Sequence, residues 1–190
     1  LASLSPPARC GLDLALHDWW GKRLGLPLHR LWGLDPSQGS PTSVTLGLGS
    51  VDAVLARLER WRAQLPATRV KLKLGSPEGL DHDRALVVAV AEDLERRRQD
   101  GLAAAELQVD ANGGWDLEGA RSMVGWLADQ RVVLVEQPLP PLEDPEADAA
   151  AFAALELDCP IALVADESCW TLADRKSTRL NSSHSSVSRM

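Results

Sequence analysis

Thr68-Arg69-Val70-Lys71-Leu72-Lys73-Leu74 decides how this chain is read. Side chains alternate along a strand, so Val70, Leu72 and Leu74 share one face while Lys71 and Lys73 share the other. Three later runs have the same plan. Residues 107–109 lead into Asp110-Ala111-Asn112, residues 132–135 into Glu136-Gln137-Pro138, and residues 161–165 into Asp166-Glu167-Ser168. Short apolar, β-branched runs of this kind read as parallel strands covered on both faces. Two ammonium groups and three carboxylates at successive strand ends are costly to gather unless a metal ion and a reacting anion separate them. That combination points to metal-assisted chemistry.

The segments around these runs alternate strand and helix. A strand is expected over 44–48. Helices are expected behind Ser50 through Val51, Leu55, Leu58 and Trp61, over 81–99 before Gly101, over 116–129, and from Asp144-Pro145 through Phe152. Five strands with intervening helices in strict order imply a parallel sheet. The intervals between Lys73, Asp110, Glu136 and Asp166 are 37, 26 and 30 residues. One βα unit of an eight-fold barrel takes roughly 30 residues. A doubly wound open sheet fits the same spacing, but it gathers its functional groups at one crevice. Here each strand from the second to the fifth ends in a polar group. The fold expected is therefore α/β, a partial (β/α)8 barrel of about five βα units.

Ahead of the barrel, residues 5–24 read as a helix begun by Ser5 and Pro6, with Leu12, Leu16, Trp19 and Trp20 in one stripe. A second helical segment passes through Leu28, Leu31 and Trp32 and stops at Gly33. Trp19, Trp20, Trp61 and Trp126 are expected in cores, and His17 and His29 as surface or packing residues. The polar linker over 35–41 marks a boundary, giving segments 1–34 and 41–173.

Residues 174–190 differ in composition. Asp174 to His184 can be written back codon by codon as read-through of a short-read sequencing adapter, and an index with further adapter yields the last six residues. The stretch is therefore expected to be foreign to the fold and disordered. It carries four basic residues against one acid, so the net charge of −7 becomes −10 over residues 1–173. So acidic a body argues against a nucleic-acid partner. No apolar stretch reaches membrane-spanning length, which argues against a membrane partner. Cys10, Cys159 and Cys169 are odd in number and lack a CxxC spacing, as expected of reduced thiols in the cytoplasm. The chain lacks an initiator Met, so a missing targeting segment says little about the parent gene.

Oxygen ligands from Asp110, Glu136 and Asp166 suit one Mg²⁺ ion. Asn112 and Glu167 are placed to support them. Lys71 and Lys73, two apart, are expected to depress each other's pKa, which prepares a lysine for work as a base. Each element alone has a bland reading: Lys-x-Lys is common at exposed strand ends, and a lone acid there is often a helix cap.

Together these motifs resemble the enolase superfamily, whose sites combine a Lys or His base with Mg²⁺. The Lys71-x-Lys73 strand is similar to that of the muconate-cycloisomerase subgroup. The strings Leu14-Ala15-Leu16-His17-Asp18, Leu31-Trp32-Gly33-Leu34-Asp35, Thr45-Leu46-Gly47, Asp110-Ala111-Asn112-Gly113-Gly114-Trp115 and Asp166-Glu167-Ser168 look most like L-Ala-D/L-Glu dipeptide epimerases. By that resemblance, Lys73 is the acid/base in α-proton abstraction through an enediolate, and Lys71 contacts the substrate carboxylate. Thr45 would contact a dipeptide or N-acyl amino acid substrate, and Asp110, Glu136 and Asp166 would hold Mg²⁺. Residues 1–34 would be the last helices of an α+β capping domain, and the parent a candidate homo-oligomer. The family's second lysine and its acidic pair on later strands are missing here, so this fragment is expected to be inactive as an epimerase. Within the superfamily, o-succinylbenzoate synthase, N-acylamino acid racemase and cycloisomerase remain alternatives. Outside it, a Schiff-base lyase with Lys73 as nucleophile and a functionless truncated product stay open.

Overall fold

The structure, a computed structural model, describes residues 4–65, 67–157 and 159–169. The stretch 174–190 read as foreign lies outside them. The chain divides into two compact units, residues 1–41 and 42–190.

In the first unit, α1 spans Pro6–Leu24 and α2 spans Leu28–Leu31. A 3-10 turn follows over Pro36–Gln38. Pro6 enters α1 where its missing N–H costs nothing, and Gly25 ends it with φ 65° in the left-handed region. Ser5 stands at the N-cap, but its side chain makes no cap hydrogen bond. The apolar stripe is present and uncovered: Trp19 is 61 % exposed and Trp20 45 %. This corrects the expectation that these two tryptophans are core. A stripe shows which face a helix would bury, not that a partner is there, and within α1 only Gly21 is buried. His17 packs edge-on against Trp32, with ring centroids 5.2 Å apart, as a packing residue does.

The second unit alternates strand and helix. Its elements are β1 (Ser43–Leu46), α3 (Val51–Gln64), β2 (Arg69–Lys73), α4 (Leu80–Gln99), β3 (Glu106–Asp110) and α5 (Leu117–Asp129). There follow β4 (Val132–Glu136), α6 (Pro145–Glu156) and β5 (Ala162–Val164). The helix starts use the expected residues. Ser50 Oγ accepts the N–H of Ala53, Asp116 Oδ1 that of Gly119, and Asp144 Oδ1 that of Glu146.

All five strands are parallel and stand in the order β1-β2-β3-β4-β5. Order in space repeats order in sequence, so there is no reversal point of the kind a doubly wound sheet needs. The winding is that of a barrel. Among the described residues the sheet stays open, with β1 and β5 at its edges.

Helices cover one face of the sheet. Val44, Leu46, Val70, Leu72, Leu107, Val109 and Val135 are buried there, with Leu58, Val90, Met123, Leu127 and Leu155 of the helices in the same core. Trp61 and Trp126 pack against that core, as expected of them. The other face carries Lys71 and Lys73, which leaves the polar side chains along one open surface.

An ion pair joins α3 to α4: Arg62 bonds Asp93, which also accepts from Arg96. Burial alone would raise the Asp93 carboxyl, but the two guanidinium groups outweigh it and hold the pKa below the ordinary value. A carboxylate depressed in the folded state contributes stability that is fully present above its unfolded pKa, near about 4. That stability is lost as the pH falls through the folded value. Asp93→Asn should therefore reduce the difference in urea stability between about pH 6 and about pH 3. An unchanged difference would remove Asp93 from the acid sensitivity of the chain.

Candidate metal and lysine site

Parallel register sets the site. Lys73, Asp110, Glu136 and Val164 form one row across β2 to β5. Thr45, Lys71, Gln108, Leu134 and Ala162 form the row two residues earlier, on the same face. Side chains facing one another in such rows share a face of the sheet. Glu136 reaches its row through an irregularity. Leu107 pairs with Val132, but Gln108 pairs with Leu134, so Val133 is skipped. Strict alternation from Val132 would turn Glu136 toward the helices. The bulge resets the phase and turns it toward the lysines.

The polar groups then meet. Lys73 Nζ donates to Asp110 Oδ2 at 2.5 Å. Lys71 Nζ donates to both Glu136 oxygens at 3.0 and 3.1 Å and lies 3.3 Å from Asp110 Oδ2. Asp110, only 1 % exposed, also accepts the backbone N–H of Asn112 at 3.0 Å on Oδ1. Asn112 thus supports Asp110 with its main chain. It sits at φ 49°, a left-handed conformation that asparagine tolerates. Thr45 stands beside Lys71 at the edge of the sheet.

The charge states depart from the sequence expectation. Burial by itself would lower the Lys71 pKa, yet Glu136 and Asp110 overcome it and raise the value above the ordinary lysine range. This corrects the expected mutual depression at Lys71, because two carboxylates lie within 3.3 Å of its ammonium. The carboxylates separate in the opposite sense. Asp110 is held low against its burial by Lys73, the Asn112 amide and Lys71. Glu136 is pushed up, first by burial and then by the Asp110 charge, despite Lys71.

Asp166 lies just past β5, exposed, with its N–H donating to Gln137 Oε1 at 2.8 Å. Among the described residues no three His, Cys, Asp or Glu side chains close around a metal position. Two of the three expected ligands are gathered, and the third ends the neighbouring strand. The set nevertheless fits a hard cation. The Lys71 ammonium shows that Asp110 and Glu136 converge on a single positive centre, and all three donors are carboxylate oxygen. Glu167 adds a buried carboxylate oxygen, Oε2, with no hydrogen-bond partner among the described residues. Such an atom calls for a cation or a proton donor.

Two residues that the sequence reading passed over hold the loops. Asp83, 1 % exposed, accepts the N–H groups of Gly75 and Ser76 and the indole N–H of Trp115. It ties the loop after Lys73 to the loop after Asp110. Its sequence signal is slight, an acid in the first turn of α4, where acids serve the helix dipole anyway. Gln137, fully buried, joins the loops after β3, β4 and β5. Its signal was a polar residue pinned between a strand end and Pro138.

A parallel sheet wound in sequence, with lysines and carboxylates at the C-terminal ends of its strands, defines a barrel-type α/β chain. The chain belongs to the enolase C-terminal domain-like family, whose model matches residues 53–181. It is 37% identical over 166 residues to a hydrophobic dipeptide epimerase of a Flavobacteria bacterium, covering 87% of this chain and 44% of the relative. A solved mandelate racemase/muconate lactonizing protein from Paracoccus denitrificans, complexed with magnesium, is 25% identical with a TM-score of 0.68. There the match covers 90% of this chain and 44% of that one. The muconate cycloisomerase of Pseudomonas fluorescens is 28% identical with a TM-score of 0.68, over 88% of this chain and 44% of that one. The chain thus spans less than half the length of each. Among the described residues no helix is long and apolar enough to cross a membrane.

Proposed function

We propose that this chain carries the metal-binding and one-base portion of an isomerase that removes the α-proton of a carboxylate substrate, acting in its whole form as a dipeptide epimerase. The observation that carries this reading is the convergence of Lys71, Lys73, Asp110 and Glu136 on one face at adjacent strand ends. Asp110, Glu136 and Asp166 would hold one Mg²⁺, with Asn112 and Glu167 supporting them. When bound, the metal supplies a fixed positive charge opposite the substrate carboxylate, which lowers the cost of removing the neighbouring proton.

The remaining work falls to the chain. Lys73, free of its ion pair with Asp110, would take the proton from one side. Lys71, tethered to Glu136, orients the substrate carboxylate, and Thr45 beside it contacts the rest of the substrate. Among the described residues these lysines address one face only, so inversion of configuration is not expected of them. Likeness to the Flavobacteria epimerase supports a dipeptide substrate. The three free thiols support a cytoplasmic location.

Titration with Mn²⁺ followed by electron spin resonance tests this. One ion should bind per chain, and a hydrophobic dipeptide with a free C-terminal carboxylate should perturb its signal while the same peptide amidated should not. No bound ion, or equal responses to both peptides, would overturn the reading. A response to muconate and none to the dipeptide would instead favour the cycloisomerase reading, which the likeness to the Pseudomonas enzyme supports.

A further inference from the structure

Gln137 uses every polar group it has. Its side-chain oxygen accepts two backbone N–H groups, from Asp166 at 2.8 Å and from Ser168 at 3.2 Å. Its side-chain nitrogen donates to Leu139 O and to Ser168 Oγ, each at 2.8 Å. Its backbone N–H reaches Val164 O at 2.8 Å, and its carbonyl accepts from Gly113 N–H at 2.7 Å. One fully buried residue thus touches the loops that follow Asp110, Glu136 and Asp166. It does so at φ 38°, a strained value for a residue with a side chain, which persists only where the surroundings over-determine it.

The grip on the third loop matters most. Residues 166–168 lie beyond a strand of only three residues at an edge of the described sheet. A local turn closes the loop, Cys169 N–H to Asp166 O at 2.9 Å. Among the described residues, the hold on its backbone from elsewhere in the chain comes from Gln137 alone. Two N–H groups, two residues apart, form a small concave donor site, and the amide oxygen fills it. Glutamine suits this position because one planar group offers two acceptor directions and two donors. Glutamate would bury a charge and lose both donors. Leucine or methionine would leave the N–H groups of Asp166 and Ser168 without their acceptor.

We propose that Gln137 is a positioning residue that hooks the Asp166–Ser168 loop onto the end of β4 and so holds the Asp166 backbone next to the Glu136 strand end, from which its carboxylate joins Asp110 and Glu136 when a metal binds. The inference rests on the reading of those three carboxylates as the metal site. Gln137 touches no metal or substrate itself. It fixes where a ligand stands.

The test uses the 190-residue chain and Mn²⁺ alone as probe. Gln137→Met should weaken Mn²⁺ binding by about tenfold or more, the usual effect of removing the support behind a ligand. Leu127→Ala, a buried change in α5 away from the site, serves as the stability control and should leave affinity unchanged. Hydrogen exchange gives a second readout: the Asp166 and Ser168 amides should be protected in the unaltered chain and lose protection in Gln137→Met. If Gln137→Met does not fold, Ser168→Ala removes one of the four side-chain bonds and should weaken Mn²⁺ binding by about threefold to fivefold. Equal Mn²⁺ affinity in the unaltered chain and Gln137→Met would overturn the role of Gln137 and leave the metal site standing. Unchanged affinity in Ser168→Ala would do the same where Gln137→Met is unfolded. Failure of the unaltered chain to bind Mn²⁺ would overturn the site reading and this inference together.

Discussion

Asp110→Ala is expected to cost about 3 kcal/mol of folding stability and to abolish divalent-cation binding. The side chain is nearly inaccessible and carries three interactions at once: Lys73 and Lys71 on Oδ2, the Asn112 N–H on Oδ1. Removing it leaves the partly buried Lys73 ammonium without its carboxylate and Lys71 with Glu136 alone, and a half-broken buried ion pair costs more than the pair contributes when whole. Both lysines are about a quarter exposed, so water recovers part of the loss, and the figure stays below the upper end of that range. Asp110→Asn separates the two effects. The amide oxygen keeps one acceptor, for the Asn112 N–H, while its NH2 faces the lysines in place of Oδ2, so stability should fall by about 2 kcal/mol, less than for alanine. Cation affinity should still fall by about a hundredfold, because a hard cation is held by ligand charge. Urea unfolding and Mn²⁺ titration of both variants check this. If the asparagine variant binds Mn²⁺ as well as the parent, Asp110 is structural only.

Gly75→Ala should be the most damaging single methyl group in the chain, costing about 4 kcal/mol from strain and overpacking combined. Gly75 has φ 76°, and a Cβ there would lie 2.1 Å from the carbonyl oxygen of Ala111. The obstacle is backbone, so no side chain can swing away. The same contact brings Gly114 against Gly75 and keeps the loops after Lys73 and Asp110 in touch, with Asp83 bonding across both. Gly101 gives the comparison. Its φ is 69°, but a Cβ there would meet nothing within 4 Å. Gly101→Ala should therefore cost only the left-handed penalty, about 1 kcal/mol. Equal losses at the two positions in urea unfolding would mean that the loop contact contributes nothing.

Much of the second unit was legible because two simple periods govern it. The alternation through residues 68–74 assigned faces correctly, and cap residues at Ser50, Asp116 and Asp144 marked helix starts that the structure keeps. Glu136 was placed in the site from its position at a strand end. The reason it faces the lysines is a one-residue bulge at Val133, and a bulge leaves no mark in an otherwise apolar β-branched run. Trp19 and Trp20 were misread for a different reason. Amphipathic spacing describes one helix, while burial depends on what lies against it. The direction at Lys71 was missed because sequence spacing revealed the neighbouring lysine but not the nearer carboxylates from β3 and β4. Asp83 and Gln137 stayed hidden since most of their partners are backbone groups, which every residue has.

A crystal structure of the chain grown with Mg²⁺ bears most directly on the whole account. The expected result is a single ion held by one carboxylate oxygen each from Asp110, Glu136 and Asp166, with the Lys73 amine released from Asp110 and beside it. Asp166 left exposed, with Lys73 still paired to Asp110 at saturating Mg²⁺, would contradict it.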